Sequence, residues 1–198
     1  MRKYLCPLIS ATLLVSCAGS FKSINPSGFQ YTTKAENSDA ELFYKYDVLR
    51  ERDNKKYSRK ELKAGVRIIA VRITNTTGKT ITIGENAKIY SGNSEVRPWP
   101  PDLTYKKIKQ KVPFYLFYLL LTPTQLTVNE DSFPIGYILG PGLAAGNMAV
   151  ASTANGRLKK ELIDFDLFGK TIKPGETLYG LIGIPEIGFL PLRVAVTP

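Results

Sequence analysis

Between Val112 and Gly156 the chain carries only two charges, Glu130 and Asp131. A stretch that long and that apolar must either hide its side chains in a core or set them against something equally apolar, because water disfavours both arms. The first arm, Pro113 to Leu121, ends at Thr122-Pro123, and the second runs from Phe133-Pro134-Ile135 to Ala154. Each is interrupted by Pro or Gly, and the densest run falls short of the roughly 20 residues a spanning helix needs. Gly136 and Gly140 make one G-x-x-x-G, Gly142 and Gly146 another, and Ala145 and Ala149 continue the small residues, a spacing that lets an apolar helix approach a neighbour closely. Two readings stand side by side: a buried helical hairpin, and a hairpin that contacts lipid or an apolar partner through residues 112 to 152.

Charge placement bears on the second reading. Lys106, Lys107, Lys109 and Lys111 precede the apolar arms, and Arg157, Lys159 and Lys160 follow them. A hairpin brings these basic residues to its base, where each is worth about 1 kcal/mol beside anionic headgroups, while Glu130 and Asp131 at the tip oppose deep insertion. The contact set expected is Leu116, Phe117, Leu119 and Leu120 with Lys106, Lys107, Lys109 and Lys111, in shallow contact with a surface.

On either side of this stretch the pattern is β. Leu42, Tyr44, Tyr46 and Val48 alternate on one face; Val66 to Thr74 is β-branched and apolar on both faces, as in a central strand; and Asn75-Thr76-Thr77-Gly78-Lys79 supplies turn chemistry before Thr80 to Ile83. These read as one hairpin, and Ala87 to Tyr90 with Glu95 to Arg97 as a second. Lys173-Pro174-Gly175-Glu176 turns into Thr177 to Ile184, and Leu192, Val194 and Val196 alternate near the end. The charged run from Arg50 to Lys63 reads as a solvated loop or hairpin end. Asp102 is placed to cap a helix carrying Tyr105, Ile108 and Val112 on one face, and Leu158, Leu162 and Phe165 mark a second, amphipathic helix. The expected fold is mainly β: a β-sandwich built from residues 42 to 98 and 170 to 197, with a helical apolar insertion at about 100–167.

The first residues carry an address. Arg2 and Lys3 precede a mostly apolar stretch from Tyr4 to Val15, and Leu14-Val15-Ser16-Cys17 follows. That order is an export signal, and Leu14 to Cys17 resembles the bacterial lipobox. The resemblance implies cleavage before Cys17 and acylation of its thiol, with several acyl chains giving stable attachment. With the sandwich strands, the chain looks like envelope lipoproteins of the Bacteroidetes type that carry Ig-like sandwich domains. The organisation this implies is a signal peptide at 1–16, a lipidated Cys17 with a flexible tether over 17–38, and the Ig-like sandwich domain with its insertion over 39–198. The implied location is the cell envelope, at the outer membrane.

Composition removes much chemistry. The 198 residues include no His, which excludes imidazole bases, Ser-His-Asp and Cys-His arrangements and His-containing metal sites. Of two Cys, Cys6 lies in the leader and Cys17 is the lipid acceptor, leaving no disulfide for the mature chain. Loss of the leader removes Arg2 and Lys3 and no acid, so the formal charge falls from +10 to +8. Gly136 to Gly142 lacks the Lys-Ser or Lys-Thr of a phosphate loop, and Pro141 removes a donor. No cofactor and no metal are expected, and no nucleic acid as partner; an anionic lipid, an acidic glycan or an envelope protein is. Function therefore reads as a lipid-anchored, non-enzymatic, membrane-proximal structural or binding module. The alternative is a carboxylate enzyme acting on envelope glycan, drawn from Glu36, Asp39, Glu41, Asp102, Glu130, Asp131, Asp164, Asp166, Glu176 and Glu186.

Overall fold

The computed structural model describes residues 17–128, 130–185 and 188–197. The expected signal peptide lies outside them. The chain forms two compact units, a smaller one from the segment up to Ser20 with Gln110–Asn155, and a larger one from Phe21–Lys109 with the chain from Gly156 onward.

In the larger unit, β1 (Thr33–Lys34), β2 (Glu41–Lys45), β3 (Arg67–Thr74) and β10 (Thr177–Ile184) form an antiparallel sheet in the order β1-β2-β3-β10. Register sets Leu42 and Leu178 opposite Ile73, and Gly180 opposite Val71. A second sheet has the order β11-β5-β6, from β5 (Ala87–Ser91), β6 (Ser94–Glu95) and β11 (Leu192–Val196), and β4 (Ile81–Thr82) pairs with β9 (Thr171–Ile172). Ile69, Val71, Ile73 and Ile182 from the first sheet share one core with Ile81, Ile89, Leu192 and Val194 from the others. Because side chains alternate along a strand, Ile68, Ala70 and Leu181 lie on the opposite face of the first sheet, and they are buried as well. That second covered face explains why β3 reads as apolar throughout.

Helices take part in covering it. A Cβ on Gly183 would fall 2.4 Å from the Thr104 hydroxyl, so this glycine lets helix α3 (Pro101–Ile108) lie against the strand. The charged run expected as a solvated loop is instead α1 (Val48–Glu51) and α2 (Lys55–Ala64). Tyr57, Ser58 and Glu61 are buried while most of the Lys and Arg stay outward; three residues at helical spacing suffice for a covered stripe, and the flanking charges hid it. Gly65, at φ 62°, ends α2 by donating to the carbonyls of Glu61 and Leu62. The described residues thus contain four helices and eleven strands in several antiparallel sheets, a mixed α/β architecture in place of the mainly β one expected.

Several local expectations also give way. Residues 66 to 83 do not form a hairpin, since β3 pairs with β2 and β10 while β4 pairs with β9. Buried Asn75 redirects the chain: its Nδ2 donates to the carbonyls of Lys79 and Ile172, and its Oδ1 accepts from the amide and hydroxyl of Thr77. The tether over 17–38 is built into the fold instead. Phe21, Ile24 and Phe29 are buried, the Asn54 side chain grips both backbone groups of Lys22, and the Ile24 amide donates to Glu161. These bonds are specific to single residues and leave no period to read. Pro100 rather than Asp102 occupies the position before α3, and that helix ends before Val112. The helix expected near 157–165 is present, with Leu158 and Leu162 buried, as the end of one longer helix, α4 (Gly136–Asp164).

Candidate functional site

The smaller unit consists of a 3-10 helix (Val112–Leu121), a hairpin of β7 (Leu126–Val128) and β8 (Asp131–Phe133), the part of α4 up to Asn155, and the segment beginning at Cys17. A 3-10 helix repeats every three residues, so Val112, Tyr115, Tyr118 and Leu121 point to one side and are buried or half-buried. The same repeat turns Phe114, Leu116, Phe117, Leu119 and Leu120 outward, and Phe117 and Leu120 are 65% and 73% exposed.

Up to Asn155, helix α4 buries small residues and exposes most of the large ones. Gly136, Gly140, Ala144, Asn147 and Ala151 are covered, whereas Tyr137 and Ile138 are 68% and 80% exposed. The reason is close approach: a Cβ on Gly136 would sit 2.2 Å from the Leu121 carbonyl oxygen, and one on Gly140 2.8 Å from the Thr122 hydroxyl. Gly142 and Gly146 meet nothing within 4 Å. Leu126, Val128 and Phe133 of the hairpin are exposed too. The covered apolar set is correspondingly slight, Tyr115, Tyr118, Ala144 and Ala151, with Ala18, Val112, Leu121, Leu143 and Met148 around it.

Polar groups occupy the interior that large apolar ones vacate. Gln110 and Asn155 exchange backbone–side-chain bonds, the Gln110 amide donating to Asn155 Oδ1 and Asn155 Nδ2 to the Gln110 carbonyl, both at 2.8 Å. Gln110 also grips Gly19 from both sides, accepting from its amide at Oε1 and donating from Nε2 to its carbonyl. Asn147 accepts from the Ala18 amide. The Tyr115 hydroxyl donates to Gln110 Oε1, and burial, first, with the neighbouring Tyr118 phenol pushes its pKa up, so it stays a donor. Cys17 is exposed, with its Sγ 4.0 Å from the Tyr118 hydroxyl. The residue expected to carry lipid therefore belongs to the same compact unit as Leu116, Phe117, Leu119 and Leu120.

The basic residues divide differently. Lys111 belongs to the smaller unit, its ammonium 5.4 Å from the Phe114 ring. Lys106, Lys107 and Lys109 belong to the larger one, where Lys107 lies over Trp99 and Lys109 over Tyr105. Among the carboxylates, Asp102 pairs with Lys159, whose hydrogen bond holds its carboxyl below the usual range, and Asp164 pairs with Lys160. Glu130, at φ 76°, and Asp131 sit exposed at the β7–β8 turn, and Glu186 lies outside the described residues. Among the described residues no three acidic or cysteine side chains gather as a metal set, and no helix is long and apolar enough to cross a membrane.

Sequence reasoning missed Gln110, Asn147 and Asn155. Each is a common amide on a chain without a matching partner nearby in sequence, and only contact across 45 to 129 residues gives it a role. No protein family, curated protein or solved structure matches the chain.

Proposed function

We propose that this protein is a lipid-anchored, non-enzymatic module of the cell envelope, at the outer membrane, whose smaller unit lies shallowly in a lipid surface. In this reading the larger unit is an Ig-like sandwich held close to that surface, and it serves as a structural or binding module. One observation carries the proposal: apart from Tyr115 and Tyr118, the smaller unit covers mainly amides, Gly and Ala while exposing Phe, Leu and Ile, the reverse of what water favours, and Cys17 is part of it.

Burying a Leu or Phe side chain is worth about 1.5–3 kcal/mol, so even partial insertion of Phe114, Leu116, Phe117, Leu119 and Leu120 outweighs what Lys111 contributes through charge. The exposed carboxylates of Glu130 and Asp131 keep their turn at the wet side of the headgroups, which suits a body lying along the surface better than one standing in it. Acyl chains on Cys17 and the apolar side chains then act on one bilayer together, with an avidity neither has alone.

Two measurements test this reading. Cells fed radiolabelled palmitate should label the wild-type chain and not Cys17→Ala; equal label in both rejects the anchor. Purified Cys17→Ala protein should sediment with vesicles of phosphatidylcholine and phosphatidylglycerol at low salt, and the combined change of Leu116, Leu119 and Leu120 to Ser should weaken that binding at least about tenfold. If the Cys17→Ala protein stays in the supernatant, the lipid-facing assignment is wrong.

A further inference from the structure

The larger unit contains a groove of about 440 Å³ between the segment Arg97–Pro101 and residues 166–168, within the usual span of small-molecule sites, about 300–1,000 Å³. Its walls are stiff. Pro98, Pro100 and Pro101 fix their own backbone angles, and the Trp99 amide donates to the Gly183 carbonyl at 2.7 Å, bridging this segment to β10. On the other side Phe168 rests on Gly84, whose φ is 89° and where a Cβ would fall 2.3 Å from the ring; no side chain fits between them.

The groove's charges are unspent. Arg97 lies over the Phe168 ring, its guanidinium 5.1 Å from the centroid. Asp166 accepts one bond, from the Phe168 amide to Oδ1 at 3.2 Å. Although both line the same groove, they do not pair with each other, and among the described residues neither the guanidinium nor Asp166 Oδ2 nor the Trp99 indole N–H has a hydrogen-bond partner. Stacking on Phe168 holds Arg97 in place, and the Phe168 amide holds Asp166. The groove therefore offers a planar donor fork stacked on Phe168, an indole donor and a carboxylate acceptor, set beside the prolines and the Trp99 ring, over which Lys107 also lies, 6.0 Å from the centroid.

A ligand that satisfies all of these must accept and donate through several groups and present an apolar face. A simple anion meets Arg97 but is repelled by Asp166, and a cation meets the converse. A hydrocarbon leaves both charges desolvated without a partner, which is costly. A sugar ring has the required pattern: hydroxyls at its rim that donate to Asp166 and accept from Arg97 and Trp99, and C–H faces that stack on an aromatic ring. We propose that this groove binds a saccharide, one or two pyranose rings of a neutral glycan, with Trp99 as the stacking platform and Arg97 and Asp166 as the hydroxyl-reading pair. The inference stands apart from the membrane reading, since no residue of the smaller unit enters it.

Trp99 is the chain's one tryptophan, so intrinsic fluorescence of the whole protein reports on the groove directly. Titration with cellotriose, maltotriose and the β-1,4-linked trimer of N-acetylglucosamine should give a saturable change in emission with at least one of them. Arg97→Gln and Asp166→Asn should each raise the dissociation constant about tenfold or more, as loss of a charge-assisted hydrogen bond does. Asp166→Asn keeps the oxygen that accepts from Phe168, so it remains the decisive variant if Arg97→Gln disturbs folding, and a thermal melt checks both. The proposal is overturned if none of the three sugars changes the emission saturably. It is overturned equally if both folded variants bind as the wild type does, or if a free zwitterion such as glycine betaine saturates the groove and the sugars do not.

Discussion

The two units handle apolar side chains in opposite ways. In the larger unit Ile69, Ile73, Ile81 and Ile182 are almost wholly covered and the charged side chains other than Glu61 and Arg67 lie mostly outside, whereas in the smaller unit Phe117, Leu120 and Ile138 lie outside and Gln110, Asn147 and Asn155 within. Hydrophobic content alone does not separate them. What differs is where backbone approach is closest: glycines on α4 bring it so near the end of the 3-10 helix that little interior remains beyond Tyr115 and Tyr118, while two pleated faces of β3 leave room for Ile and Val on both sides. An apolar stretch is thus a core only when the backbones around it stand far enough apart to hold its side chains.

The sharpest way to break this contrast is truncation in each unit. Ile69→Ala should cost about 2–5 kcal/mol through the cavity it leaves, whereas Leu120→Ser should stay within about 0.5 kcal/mol in water, both read from denaturant unfolding of the full chain. Comparable losses would mean that Leu120 is covered in solution, and the lipid-facing assignment would lose its basis.

Titration separates the interiors next. Glu61, buried at the end of α2, accepts from the Ile68 amide at 2.6 Å through Oε1, while Oε2 has no partner. Burial pushes its pKa up to about 7, against the smaller pull of the Ile68 amide and of Arg67, and with a further push from Asp47. A carboxyl with a folded pKa above its unfolded value of about 4.3 holds its proton longer when folded. Stability therefore falls as pH rises from about 4.3 to about 7 and is level beyond, a loss on the order of 3–4 kcal/mol. Glu61→Gln should flatten that slope in unfolding measured between pH 5 and 8. The amides inside the smaller unit do not titrate, so vesicle binding by the Cys17→Ala protein should change little over the same range.

The smallest effect lies within α4. Gly136→Ala drives a methyl against the Leu121 carbonyl and should destabilise by about 1–3 kcal/mol, while Gly146→Ala, with open space around it, should gain up to about 1 kcal/mol from helix propensity. Thermal melts of the two variants decide whether the first G-x-x-x-G is a packing device and the second a free surface.

Sequence alone determined the strands whose pattern is local, Arg67–Thr74 and Thr177–Ile184 by β-branched and apolar runs and Leu192–Val196 by alternation, together with the apolar character of residues 112 to 155 and the imidazole chemistry that the absence of His excludes. Those depend on neighbours within a few positions. Tertiary structure alone decided the rest. Asn75 parted β3 from β4 by bonding to Ile172, far along the chain, and a charged run became helix α2 because the first sheet offered its stripe a face to cover. In the smaller unit a three-residue repeat, not the helical 3.6, chose which of Tyr118, Leu119 and Leu120 went inward. The clamp of Gln110 and Asn147 on residues 18 and 19 was likewise beyond reach of local pattern, since a side-chain amide bonds whichever backbone the fold brings to it.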